Sequence, residues 1–388
     1  MKMFSPPKRI LMGPGPSDVD PLVLKAMAAP LIGHLDPAFL NLMDNIQQLL
    51  RKLFETNNRL TLPISATGSA GMEAAFVNLI EPGDSVTVCV NGVFGERMSD
   101  IVVRSGGTLS RVDTSWGKGP DVDAIRESLL LNHPKILAVV HAETSTGVLT
   151  HLSQIRELLN EFPETLLLVD CVTSLGGHSV GIDQYQVDFA YGGTQKCLSC
   201  PPGLAPITVS DRALEEIHSR KRKVQSWYLD LSMVENYWGD NRTYHHTAPI
   251  SMNYALYESL RIIHEEGLEQ RWNRHHKNHL AFVAGIEAMG LEMLVKSGDR
   301  LWSLNTVKIP DGISDGIVRA KLLERFGIEI GGGLGPLKDK IWRVGLMGTS
   351  SQKKNVLLFL NALEEILTEE GLVLENNAGI TAAERIYV

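Results

Sequence analysis

Cysteine is scarce in this chain, with four residues among 388 and no recurring spacing. That scarcity excludes a disulfide-stapled scaffold and suits a reducing compartment. Cys197 and Cys200 do form a C-x-x-C, but no second ligand pair at zinc-site spacing accompanies them. They read as small packing residues, with a redox or metal role as the lesser alternative. Long apolar runs are missing too: none approaches the roughly 20 residues that span a bilayer. Nor is there an excess of positive charge. Lys and Arg number 37 against 45 Asp and Glu, a net charge of −8, which argues against general nucleic-acid binding. The one basic cluster, Arg220 to Lys223, reads as the solvated end of a helix. The opening "MKMFSPPKRILMGPGPS" lacks the continuous apolar core of a secretory signal, and the closing "AERIYV" carries no S-K-L-like address. The expectation is a cytoplasmic protein without nucleic-acid or membrane partners.

What is present is an ordinary globular balance, 44% hydrophobic and 21% charged, in a chain long enough for two or three domains. From about residue 60, Gly-punctuated apolar runs alternate with amphipathic segments. "SVTVCV" (85–90), a helix near 94–105, "TLSRV" (108–112) and a helix near 121–131 come first. "KILAVVHA" (135–142), a helix near 152–161, "TLLLVD" (165–170), "VDFAYGG" (187–193) and "LAPITVS" (204–210) follow. Short, wholly apolar strands between helices predict a mostly parallel sheet covered on both faces. Ligands in such sheets sit beyond the carboxyl ends of the strands. One rim therefore collects Thr67–Ser69, Glu143–Thr146, Asp170 and Lys196. After about residue 260 a long helical segment, 254–289, connects to a smaller α+β part. That part holds "LNTVKIP" (304–310), a helix near 315–326, "IEIGGG" (328–333), "IWRVGLMG" (341–348) and a final helix near 351–368.

Lys196 and Asp170 stand 26 residues apart, each at the end of an apolar strand. A buried ion pair would account for them. Pyridoxal phosphate (PLP) accounts for more, since it needs a lysine for its Schiff base and an acid opposite its pyridine nitrogen. Its phosphate needs an anion site, and "ISATGSAGMEAAFVNLI" (64–80) offers a polar glycine turn opening a helix. Alone, that turn is also an ordinary helix start.

With "LMGPGPS" (11–17), "NGVFGER" (91–97), "HAETSTGVL" (141–149), "VDCVTSLGG" (169–177), "GGTQK" (192–196), "YHHTAP" (244–249) and "RVGLMG" (343–348), the chain resembles the class V, fold-type I PLP-dependent aminotransferases. Within them it is most similar to the alanine–glyoxylate (serine–pyruvate) aminotransferase family. The resemblance implies an α/β fold with a mostly parallel seven-stranded-type sheet in a large domain and a smaller α+β C-terminal domain. The boundaries it suggests are an arm over 1–20, a PLP-binding domain over 21–265 and a small domain over 266–388.

The resemblance also implies roles. Lys196 matches the Schiff-base lysine and Asp170 the partner of the ring nitrogen. Phe94 matches the aromatic stacked on the ring, and Thr144 a hydroxyl near it. Thr67, Gly68, Ser69 and Gln195 match phosphate ligands. Tyr244 and Thr247 match residues that reach the phosphate from a second subunit, which implies a homodimer with shared active sites. Arg343 matches the arginine for the substrate α-carboxylate, and Gly15 lies in the arm that packs near it. The chain departs from many eukaryotic members, which carry tryptophan at Phe94 and histidine at Ser69. Each of these residues has a plainer reading: Phe94 as core, "YHHT" as a structural loop, Arg343 as a surface ion pair.

The function so implied is transamination from alanine or serine to glyoxylate or pyruvate, with Lys196 moving the proton. Pyridoxamine–pyruvate and aminoethylphosphonate transamination stay open. A cysteine desulfurase would need a mobile C-terminal cysteine, yet every cysteine here lies at or before residue 200. A nucleotide-linked oxidoreductase would rely on "GGGLG" (331–335), which does not fit G-x-G-x-x-G opening a helix. A binding protein without activity would have no use for the Lys–Asp pair.

Overall fold

The computed structural model describes Met1 and residues 3–388. A seven-stranded sheet runs in the spatial order Leu60–Ile64, Ala205–Val209, Phe189–Tyr191, Leu166–Asp170, Ile136–Val140, Ser85–Val90, Thr108–Asp113. Ala205–Val209 is antiparallel to both neighbours, and the other pairings are parallel. The apolar runs have this form because helices cover both faces. Along Leu166–Asp170, Leu166 and Leu168 enter the core on one side, Leu167 and Val169 that on the other. The edge strand Thr108–Asp113 is covered less, and its sequence is correspondingly more polar.

In register, Val140 pairs with Asp170 and Asp170 with Tyr191, so three adjacent strands end on one rim. Asp170 closes one of them, and the loops that leave the other two carry Glu143 and Lys196. Residue order in space, not in sequence, makes this rim a site.

A second sheet has three antiparallel strands, Leu304–Lys308, Ile341–Gly345 and Gly331–Gly332, in that order. Its core packs under Leu268–Ala288, Asp315–Phe326 and Lys353–Glu369. The expected single helix over 254–289 is two, Ile250–Glu266 and Leu268–Ala288. They break at Gly267, whose φ of +86° no helix accommodates. A further helix, Ala378–Tyr387, extends past the expected last one. It fully buries Gly379 and Ala383, and Ile380 and Tyr387 pack half-buried against the same core. The short strand Ile10–Leu11 pairs parallel to Ile328–Glu329, which carries the N-terminal segment past the rim. No helix among the described residues is long and apolar enough to cross a membrane.

Candidate active site

Strand Phe189–Tyr191 ends in Gly192-Gly193, and the chain then folds into a tight turn holding Lys196. Thr194 Oγ1 donates to the Pro201 carbonyl (2.7 Å), Cys200 N–H to the Thr194 carbonyl (3.1 Å) and Ser199 N–H to the Lys196 carbonyl (3.0 Å). Ser17 clamps the turn from outside, its hydroxyl on the Lys196 carbonyl (2.7 Å) and its N–H on that of Gln195 (2.9 Å). Lys196 is thus 7% exposed, and its Nζ donates to the Pro14 carbonyl. Burial, and after it the charge of Arg343, moves its pKa down to about 8. The amine therefore carries its lone pair in a sizeable fraction near neutrality.

Asp170 is 2% exposed, and its Oδ1 accepts the Val172 N–H at 2.8 Å. Burial pushes its carboxyl up to about 7. The Tyr191 hydroxyl lies next to this carboxylate but makes no hydrogen bond of good geometry, and it is buried without a partner. All four cysteines are buried free thiols, and Cys197 Sγ donates to the Thr173 carbonyl (3.3 Å).

Lys196 and Asp170 line a cavity of about 220 Å³. The helix Gly68–Leu79 begins at the same cavity, with Thr67 as its N-cap residue, and Thr67, Gly68, Ser69 and Gln195 line it too. Thr67 makes no side-chain capping bond, and Gln195 Oε1 is buried without a partner. Larger hollows lie beside His151 and Asp299 (about 350 Å³) and along Arg220–Val224 (about 680 Å³). Their ionisable side chains are largely exposed, so neither offers the desolvated amine and acid that chemistry requires.

Phe94 also lines the cavity, and its position depends on a residue that had no assigned role. Glu143 is fully buried at the start of the helix Val93–Arg104. Its Oε2 accepts the Phe94 N–H (3.2 Å), and its Oε1 accepts both the Ser145 hydroxyl (2.6 Å) and the Ser145 N–H (3.0 Å). Ser145 Oγ in turn accepts the Val93 N–H at 2.9 Å. An acid at a helix N-terminus is favoured by the dipole, although burial still raises its pKa. Gly92 is needed beside it, since a Cβ there would lie 2.3 Å from Glu143 Cδ. Arg97 is the second residue without an assigned role. It lines the cavity, donates from Nη1 to Ser69 Oγ (3.0 Å) and lies 5.0 Å over the Phe94 ring. The sequence placed Glu143 on the rim without a role and gave Arg97 no place at all, since nothing local shows which way either side chain turns.

Arg343 is 7% exposed, with Nε on the Gly332 carbonyl (2.7 Å) and Nη1 on that of Thr144 (3.2 Å). Burial lowers its pKa to about 10, with Glu143 acting in the opposite sense, so it stays charged at neutral pH. Thr144 itself is buried outside the cavity lining. Tyr244 and Thr247 are exposed and lie outside the cavity of their own chain, the Tyr244 ring 5.2 Å from that of His34. Between them His246 Nε2 meets Ser65 Oγ at 2.7 Å and so braces the turn that carries Thr67.

Gly15 is the tightest point. Its φ is +106°, and a Cβ would lie 2.6 Å from Lys196 Nζ. Gly15→Ala is expected to displace the amine and lower kcat/KM by about tenfold or more. A melting temperature unchanged within about 4 °C would show that the loss is local. Full activity in the variant would mean the arm does not confine Lys196.

The aminotransferase class V family model matches residues 24–339 of this chain. The (S)-ureidoglycine–glyoxylate transaminase of Bacillus subtilis is 41% identical over 98% of this chain and 96% of its own. An alanine–glyoxylate aminotransferase of Callithrix jacchus is also 41% identical, over 95% of this chain and 89% of its own. Among solved structures, ureidoglycine–glyoxylate aminotransferase from Bacillus subtilis superposes with a TM-score of 0.97 at 42% identity, covering 100% of both chains. Alanine–glyoxylate aminotransferase from Nostoc sp. does so at 0.93 and 48%, over 95% of this chain and 97% of that one. A desolvated lysine, a buried acid beside it and similarity over nearly the whole length lead to one conclusion: the chain belongs to the class V aminotransferases.

Proposed function

We propose that this aminotransferase uses PLP to move an amino group from a small amino acid, alanine or serine, to a small 2-oxo acid, glyoxylate or pyruvate. The carrying observation is that one cavity joins a desolvated amine and acid to a helix N-terminus with a free hydroxyl. These residues fit the cofactor. The uncapped Thr67 hydroxyl, the N-terminus of Gly68–Leu79, Ser69 and the N–H donors of the Gln195 amide suit its phosphate. Phe94 offers a ring face. Further division of labour follows the same reading: an arm over 1–20, a cofactor domain over 21–265 and a small domain over 266–388. Tyr244 and Thr247, exposed in one chain, would complete the phosphate site of a partner in a cytoplasmic homodimer.

When bound, PLP supplies an electron sink for the pair left as the substrate Cα–H bond breaks. Asp170 holds the proton on the ring nitrogen, since a cation next to its buried carboxyl favours the charged form. Lys196 Nζ takes the Cα proton and returns it, working near its own pKa of about 8. Arg343 grips the substrate α-carboxylate with the donors that the Gly332 and Thr144 carbonyls leave free. The burial of all three lowers the dielectric around the proton transfer and strengthens their interactions there.

Glyoxylate stands in the names of both the ureidoglycine and the alanine relatives, which supports it over pyruvate as the acceptor. Similarity to the Bacillus subtilis protein over the full chain makes a ureido donor the second reading. The test is the absorbance of PLP-loaded protein before and after alanine, serine or ureidoglycine. Loss of the visible band with one donor and its return with glyoxylate identifies that donor. A band that none of the three moves would remove these substrates.

A further inference from the structure

The helix Leu268–Ala288 turns buried polar groups toward the loops that carry the site. Arg271 is 3% exposed and spreads its guanidinium over two of them. Nε donates to the Gly176 carbonyl (3.0 Å), Nη2 to the Cys197 carbonyl (2.6 Å) and Nη1 to Glu266 (2.6 Å). Gly176 lies in the loop that leaves Asp170, and Cys197 directly follows Lys196. On the next positions, Arg274 Nη1 donates to the carbonyls of Gly348 (2.9 Å) and Ser351 (2.6 Å). His275 Nε2 accepts the Gly348 N–H at 2.9 Å while Nδ1 donates to the Arg271 carbonyl at 2.8 Å. Burial lowers the His275 pKa to about 3, so this neutral tautomer persists. Gly348 belongs to the loop that leaves the strand of Arg343.

The loops also touch one another. Gly348 has φ +51°, a Cβ there would lie 1.9 Å from Ser199 Oγ, and Ser199 Oγ accepts the Thr349 N–H at 2.7 Å. Burying a guanidinium costs its hydration, and an apolar side chain would fill the volume without that cost. What an apolar side chain lacks is a rigid fork that engages two carbonyls from two loops at once.

We propose that Arg271, Arg274 and His275 are positioning residues that hold the three working side chains in register. Arg271 sets Lys196 against Asp170, and Arg274 with His275 sets Arg343. The inference rests on the PLP transaminase reading above. It goes beyond that reading by assigning separate jobs to neighbouring residues of one helical turn.

The test compares Arg271→Lys and Arg274→Gln with wild type in the full chain. The readouts are the rate at which the visible band forms when PLP is mixed with cofactor-stripped protein, kcat, KM for the amino acid, and Tm. In Arg271→Lys, band formation and kcat are each expected to fall by about tenfold or more, with KM little changed. In Arg274→Gln, KM is expected to rise by about tenfold while band formation keeps its wild-type rate. If both variants lose only Tm, the turn is a strut and the inference is overturned. Identical kinetic effects in the two would overturn the division of labour. Should Arg271→Lys fail to fold, Arg271→Gln is read in its place, since Glu266 also holds Arg274: slowed band formation with KM little changed supports the proposal, and an unchanged rate overturns it. Lys196→Ala runs alongside. If that variant forms the wild-type band, the reading of the site has failed, whatever Arg271 does.

Discussion

Replacing Lys196 by alanine is expected to abolish the visible band that PLP forms with the chain and to lower turnover by about four orders of magnitude. The change removes a covalent tether and a general acid–base in one step, and acid–base catalysis alone contributes about 10² to 10⁴. No other amine is placed to substitute. Among the described residues that line the cavity, the remaining cation is Arg97, a guanidinium bonded to Ser69. A guanidinium cannot surrender a proton near neutral pH. The fold should persist, because the Lys196 turn is held through its backbone by Ser17 and Ser199. Absorbance and turnover measured on the same preparation check this. A variant that kept band and turnover would place the chemistry elsewhere.

Asp170→Asn should produce the second large effect, with opposite signs for activity and stability. Turnover is expected to fall by about a hundred- to a thousandfold, the range for losing one pre-organised electrostatic partner. In cofactor-free protein, however, burial holds the Asp170 carboxyl at about 7 against an ordinary value of 3.8. Between those values the folded chain keeps a proton that the unfolded chain has released. Stability therefore falls as pH rises through that window, and the full cost is present above about 7. Asparagine has no charge to bury. The cofactor-free variant should melt above wild type near pH 8 and level with it near pH 4. Equal melting at both values would show that Asp170 is not desolvated, and an unchanged turnover would detach it from the ring.

How much was legible varied with how far a residue's role depends on its neighbours in space. The mostly parallel sheet could be read because strands buried on both faces must be apolar throughout, as in "LLLVD" and "ILAVV", while its seven strands were implied by the resemblance. Lys196 and Asp170 stood out because an amine and an acid at the ends of such strands are expensive to bury without a purpose. Glu143 did not stand out. A lone acid after a strand is usually solvated, and only the packing of helix Val93–Arg104 against it reveals a cap for Phe94. Arg271 was hidden for the converse reason. "LEQRWNRHH" reads as a polar helix face, yet that face is turned inward onto two loops. Gly267 was an ordinary interruption in a helical pattern until its positive φ split the helix in two.

The sequence by itself determined the layer architecture, the family and the residue types on the rim, because periodicity and motif order are local properties of the chain. Only the tertiary structure decided which polar groups are desolvated. It set the Lys196 pKa near 8 and that of Asp170 near 7, turned Glu143 onto Phe94, and brought Gly15 against the amine. Desolvation depends on every atom within several ångströms, and those atoms come from strands and loops far apart in the chain.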